Sequence, residues 1–454
     1  MREIVFIQMG QAGNRIGEKF WEIISDEHNV NNCGHFYGQS ILPYQRINVY
    51  YECIENSRFM PRSVLVDLEP SYINTIREGT LGKLFNPEYM VMGSTGAGNN
   101  WAKGFYTEGA AQMENVLEII KKQVECCDCL QGFQMLHSIG GGTGSGMGSL
   151  LLRHLRDDYQ DRIVQTFSVI PSPKVSETVV EPYNAVLALA EFATCTDETV
   201  CFDNEALFDI CINSLKIKSP TIYDLNHMVT MTIAGVTTCF RFPGQLNSDL
   251  RKLMTNMCPF PRLHYFISGF APLQALTFKK QYVKVTVDGL AKDLFNPCLH
   301  MAGNKEGGKY LTCAAIFRGF LSSKEVERAM VNVRKSNENC FTKWIPNSIK
   351  SAICDVPPRS MTASATFLAN TCSITNIFQR LICQFDSMFQ KRAFIHWYTG
   401  EGMEEQEFRD AMEIVNDICE EYQNVCNDEG ISDDEFSEES FCSDYDSDSD
   451  ECCC

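Results

Sequence analysis

Ser138-Ile139-Gly140-Gly141-Gly142-Thr143-Gly144-Ser145-Gly146 lies between a β-rich run at residues 133–139 and a helical pattern carrying Leu151, Leu152 and Leu155. Five of the seven residues 140–146 are glycine. Glycine lets a backbone turn tightly and approach a ligand with no Cβ in the way. The freed N–H groups and the start of the following helix then form a concave anion site. Thr143 and Ser145 add hydroxyl donors. The alternative, a merely flexible turn, is disfavoured by the placement between strand and helix. A Walker A loop is excluded, because no Lys follows the glycines. The strict dinucleotide spacing also fails, since its third glycine would fall on Ser145 or Met147. Such a loop holds phosphate with backbone and hydroxyls. The charge is left to the helix dipole and a metal ion, for which Mg²⁺ is the expectation.

Outward from this loop, strand candidates at Glu3–Met9, residues 63–68, residues 133–139 and Ile163–Ile170 alternate with helical patterns. The first helical pattern puts Ile16, Phe20, Ile23 and Ile24 on one face. The repetition predicts an α/β fold, a Rossmann-like, mostly parallel sheet covered by helices with ligands at the strand ends. Three further turns converge there: Gly10-Gln11-Ala12-Gly13-Asn14, Asp67-Leu68-Glu69-Pro70 and Gly93-Ser94-Thr95-Gly96-Ala97-Gly98-Asn99-Asn100. Glu69 is placed to face a metal through water. The chain divides into a nucleotide domain over 1–203, a second α/β domain over 204–371, amphipathic helices over 372–426 and a disordered acidic tail over 427–454.

The 454 residues are 44% apolar, enough for two or three packed domains. No apolar run reaches the 18 or so residues of a membrane span. The N-terminus reads as a strand and not as a signal peptide, so the expected location is the cytoplasm. The 22 cysteines are irregularly spaced and are expected to be mostly reduced, buried small hydrophobes. The lone Cys126-Cys127-Asp128-Cys129 has no second pair at zinc spacing. Of the net charge of −19, 12 acidic residues unopposed by Lys or Arg lie from Asn427 onward. That excludes a general nucleic-acid binder and favours basic protein partners at the tail.

The loop 140–146 resembles the signature loop of the tubulin family. Similar blocks are Met1-Arg2-Glu3-Ile4, Asn99-Asn100-Trp101-Ala102-Lys103-Gly104, Val180-Glu181-Pro182-Tyr183-Asn184, Phe242-Pro243-Gly244-Gln245-Leu246-Asn247 and His396-Trp397-Tyr398-Thr399-Gly400-Glu401-Gly402. The resemblance covers residues 1–426. It implies the tubulin fold: a GTPase domain, an intermediate domain and C-terminal helices. The short stretch from Trp344 to Arg359, and Lys252 where α chains carry an acid, resemble the β type. The implied function is a GTP-binding structural subunit that pairs with α-tubulin and polymerises into cytoskeletal microtubules. GTP is hydrolysed to GDP at a composite site completed by the next α subunit. By the same resemblance, Gln11, Asn99, Ser138, Gly140, Gly141, Gly142, Thr143, Gly144, Ser145 and Gly146 hold the phosphate end. Glu181 meets the ribose, Asn204 and Asn226 read the guanine edge, and Glu69 serves Mg²⁺. Asn247, Asp249 and Lys252 face the nucleotide of the neighbouring subunit. Microtubule-associated proteins and motors are implied at the tail.

The sequence departs from the family in places. Ile222 stands where the family stacks a Tyr on the base, with Tyr223 one residue late. Ala12, Arg15 and Glu177 replace the usual Cys, Gln and Asp. The lateral-contact loop 273–281 reads one residue long and lacks its central Gly. The tail is rich in Ser-Asp, with Ser432, Ser443 and Ser447 each three residues before an acid, and ends in Cys452, Cys453 and Cys454.

Overall fold

The computed structural model describes residues 2–38, 41–54, 57–176, 178–243, 249–273, 285–303, 308–358 and 361–427. Its strands in chain order are β1 Glu3–Met9, β2 Tyr51–Ile54, β3 Arg58–Pro61, β4 Ser63–Asp67, β5 Met90–Met92, β6 Leu130–Ser138, β7 Ile163–Ile170, β8 Glu198–Asp203, β9 Tyr265–Ala271, β10 Tyr310–Gly319, β11 Ile349–Cys354 and β12 Ala363–Thr371. β2 and β3 form a separate hairpin. The other ten make one sheet in the order β11-β10-β12-β9-β8-β7-β6-β1-β4-β5. From β5 to β9 every pairing is parallel. β12 then runs antiparallel to both β9 and β10, and β11 pairs parallel with β10. The sheet therefore continues unbroken past residue 204.

Helices cover both faces of the central strands, so even their polar residues Gln134, Gln165 and Glu198 are buried. All seven residues of β1 are buried. Its alternation sorts them: Val5, Ile7 and Met9 join one core with Leu151, Leu152, Leu155 and Phe192. Ile4 and Phe6 join the other with Ile16, Phe20, Ile24 and Val229. The helical face expected around Ile16 is present, with Ile23 only half-buried at its edge. β1 and β7 have the expected bounds; β6 begins earlier than read, and β4 stops at Asp67. Residues beyond 372 form the helices Ile374–Phe389, Ile395–Thr399 and Glu405–Asn427.

Among the described residues the cysteines are mostly reduced, as expected, but fewer than half are buried and two are bonded to each other. Cys372 and Cys426 are disulfide-bonded, because the last helix brings its C-terminal end back to the end of β12. Of the 16 free described cysteines, seven are buried and six are exposed, Cys126 and Cys129 among the latter.

Candidate functional site

Parallel strands place the C-terminal ends of β1, β4, β5 and β6 on one edge of the sheet, and the turns after them converge. They enclose a cavity of about 170 Å³ lined by Gly10, Gln11, Ala12, Asp67, Glu69, Ala97, Gly98, Asn99, Ser138, Gly141, Gly142, Thr143 and Gly144, with Met9 at its floor. Two helix starts meet here. Gly10 opens the helix Gly10–Glu27 with φ 72°, and Asn14 secures it by donating to the carbonyls of Gly10 at 3.0 Å and Val66 at 3.2 Å. The glycine loop winds through a π turn, Thr143–Met147, into the helix Gly148–Asp158. Backbone N–H groups at helix starts carry partial positive charge and attract anions.

The loop is supported from beneath. His137 is fully buried, with Nδ1 2.7 Å from the Gly144 carbonyl and Nε2 2.8 Å from Ser168 Oγ. Burial holds its pKa down at about 4, so the ring is neutral at physiological pH. Asn184, also fully buried, donates to the carbonyls of Gly140 at 2.9 Å and Asn99 at 2.8 Å. Neither residue was singled out from sequence as part of the site.

The cavity wall carries two carboxylates, Asp67 and Glu69, and no Lys or Arg. Burial pushes Asp67 up to about 6, and the neighbouring Glu69 charge adds to this against the Glu69 N–H that Asp67 accepts at 3.2 Å. Asp67 Oδ2 is buried with no hydrogen-bond partner. An acid pair with an orphaned oxygen is a donor set that would suit a divalent cation. From the sequence, Glu69 alone is expected at the metal. Asp67 was legible as a charged residue closing an otherwise apolar strand.

Several residues expected at the site do not line this cavity. Ser145 is buried and donates its hydroxyl to the Gly141 carbonyl, so that donor is spent within the loop. Gly146 packs against the Trp101 carbonyl, outside the cavity. A Cβ on Gly140 would lie 3.2 Å from Glu181 Cδ, so Glu181 stands against the loop. Glu181 lines a separate hollow of about 520 Å³ with Pro171, Val179, Leu381 and Met388. Asn204 starts the helix after β8, and Asn226 is in the second turn of the helix Ile222–Val236; both are half-buried. Neither lines the cavity. Asp249 pairs with Arg2 and, at 4.0 Å, with the exposed Lys252. Arg15 lies over the Tyr72 ring. Asn247, Glu177, loop residues 274–281 and the tail beyond 427 lie outside the described residues.

Residues 3–212 match the Tubulin/FtsZ family GTPase domain, and residues 261–383 match the Tubulin C-terminal domain.

Proposed function

The chain belongs to the Tubulin/FtsZ family of GTP-binding, polymerising cytoskeletal GTPases, and from that premise we propose that it is a β-type tubulin that pairs with α-tubulin and assembles into microtubules. The observation that carries the nucleotide part is the cavity itself. Two helix starts and the glycine loop offer N–H groups to phosphate, and a wall with acids but no base requires a cation. Gln11, Asn99, Ser138, Gly141, Gly142, Thr143 and Gly144 hold the phosphates through backbone and short polar groups. Glu69 and Asp67 would hold Mg²⁺, which when bound would neutralise charge on the phosphates. Glu181, Asn204 and Asn226 extend the site toward ribose and guanine.

Among the described residues the cavity wall offers no complete catalytic set, which supports the reading that hydrolysis takes a group from the next α subunit. In the reverse direction this chain offers Asp249, already neutralised by Arg2, and Lys252. A cation there supplies no carboxylate to orient water, so the nucleotide of the α subunit at that contact stays GTP. Lys252 thus supports the β type. The proposed division of the chain is 1–203, 204–371, 372–426 and a tail from 427, with microtubule-associated proteins and motors at the acidic tail and a cytoplasmic location. No helix among the described residues is long and apolar enough to cross a membrane.

Co-purification with α-tubulin, nucleotide extraction and sedimentation with electron microscopy of the pellet test this reading. Expected are one exchangeable nucleotide, one retained GTP and GTP-dependent tubes. GDP at both sites of the unmodified dimer would overturn the β assignment.

A further inference from the structure

Asn184 lies in the first turn of the helix Glu181–Cys195 and does not line the cavity. Its amide has two N–H donors and two acceptor lone pairs, and all four are used. Nδ2 donates to the Gly140 and Asn99 carbonyls. Oδ1 accepts from the Trp101 N–H at 3.0 Å and the Tyr398 hydroxyl at 2.7 Å. Gly140 belongs to the loop after β6, and Asn99 to the loop after β5; Asn99 and Gly141 both stand in the cavity wall. Tyr398 belongs to the outer helix Ile395–Thr399, whose Trp397 carbonyl accepts a second bond from Asn100 Nδ2 at 2.9 Å.

We propose that Asn184 is a positioning residue for nucleotide binding: its amide fixes the spacing of the two phosphate-facing loops and ties that spacing to the outer helix through Tyr398. The inference rests on the guanine-nucleotide reading of the cavity. Asn184→Asp keeps the side-chain shape, removes both N–H donors and sets a carboxylate against two carbonyls. Protonation of that carboxyl restores one donor. Tyr398→Phe leaves the loop bonds in place and cuts only the link to the outer helix. The other titratable groups around the two loops are Glu181, raised by burial, the Tyr183 and Tyr398 phenols, pushed far above neutrality by burial, and Asp67 on the cavity wall, pushed up to about 6, so each variant is read as a ratio to the unmodified protein at the same pH.

The test is the release rate of mant-GDP from the full chain paired with α-tubulin, at low temperature, from pH 6 to 7.5. At pH 7.5 Asn184→Asp is expected to release about tenfold faster than the unmodified protein and to recover toward it as the pH falls. Tyr398→Phe is expected to release a few-fold faster at every pH. Unmodified rates in both variants would overturn the proposal. So would a fast Asn184→Asp rate that stays flat with pH, since that is a packing loss. Should Asn184→Asp fail to fold, Tyr398→Phe decides alone, and an unchanged rate overturns the proposal. An unmodified protein that takes up no mant-GDP overturns the nucleotide reading as well, whereas normal uptake with unaffected variants overturns only the role of Asn184.

Discussion

A Cβ built on Gly142 would lie 2.8 Å from the amide nitrogen of Asn100 and 2.7 Å from the Cβ of Ala97. In the sequence this glycine reads as room for the approach of a phosphate. The contacts show that it is necessary for the approach of the neighbouring loop. At Gly141, which also lines the cavity, the nearest atom to a built Cβ is Asn99 Oδ1 at 3.8 Å, an ordinary contact. Gly142→Ala is therefore expected to force the two loops apart, at about 1–3 kcal/mol for an overpacked contact, and to weaken GTP binding at least tenfold. Gly141→Ala is expected to fold as the unmodified chain does. Equal nucleotide affinity in Gly142→Ala and the parent, by equilibrium titration, would remove this account.

Asp67 links stability and binding with opposite signs. Burial holds its folded pKa at about 6, above the 3.8 of an ordinary Asp, so the ligand-free fold holds a proton that the unfolded chain has lost in that window. Stability is full below pH 3.8 and falls as the pH rises through 6, where the buried carboxylate ionises. A divalent cation needs that same carboxylate. Asp67→Asn is thus expected to raise the melting temperature of the nucleotide-free protein at pH 7.5 and to weaken Mg²⁺-dependent nucleotide binding about tenfold. In the parent, Mg²⁺-dependent affinity should decline below about pH 6. A variant that melts lower and binds normally would contradict both halves.

A second buried acid gives a purely structural test. Tyr50 OH donates to Gln134 Oε1 at 2.5 Å, Gln134 Nε2 to Gln165 Oε1 at 2.6 Å, and Gln165 Nε2 to Glu198 Oε2 at 2.7 Å, a chain crossing β6, β7 and β8. Burial pushes Glu198 up to about 8 from 4.5, with the Gln165 hydrogen bond opposing this only in part. The folded state again binds the extra proton, so stability is present below pH 4.5 and is lost as the pH rises toward 8, on the order of 5 kcal/mol over the window. Glu198→Gln is uncharged at every pH and keeps an acceptor for Gln165. Its chemical-unfolding midpoint should exceed the parent's at pH 8 and should lack about one proton's worth of pH slope. Parallel slopes in the two proteins would show that Glu198 ionises normally.

What was legible in the sequence was what local pattern encodes. Short runs rich in Ile, Val and Phe such as Glu3–Met9 and Ile163–Ile170 encode strands locally, because β-branched and aromatic side chains fit the pleated surface. The glycine loop announces an anion site because few other reasons gather five glycines at the start of a helix. What was not legible depends on long-range contact. Asn184 reads as an ordinary helix residue until β6, the loop after β5 and the outer helix are packed around it. Ser145 reads as a phosphate donor until the π turn directs its hydroxyl onto Gly141. Cys372 and Cys426 read as two among many thiols until the last helix folds back.

Nucleotide exchange in this chain is expected to be faster than in a β-tubulin with an aromatic residue at position 222. Ile222 is 57% exposed and offers no π-face to a base, and Tyr223 is engaged elsewhere. Its ring lies 4.9 Å from Lys19 Nζ, a contact worth about 0.5–1 kcal/mol at an exposed site. The start of its helix is locked by a capping box: Asp224 N–H donates to Thr221 Oγ1 at 3.4 Å, and Thr221 N–H to Asp224 Oδ2 at 3.0 Å. Losing such a cap costs about 1 kcal/mol. Moving Tyr223 into the place of Ile222 would give up both interactions, so the backbone shift that could restore a stacked ring is opposed. Base–aromatic stacking contributes about 1–3 kcal/mol, and Ile222 keeps some apolar contact, so a loss near the lower end is expected. Since about 1.4 kcal/mol is tenfold and affinity differences fall mostly on the off-rate, GDP should leave several-fold faster. Ile222→Tyr should slow release by that factor, and Tyr223→Gly should leave it nearly unchanged, both read by chase of a fluorescent GDP. If Tyr223→Gly greatly speeds release while Ile222→Tyr does nothing, the stacking ring is Tyr223, and the expected exchange rate is wrong.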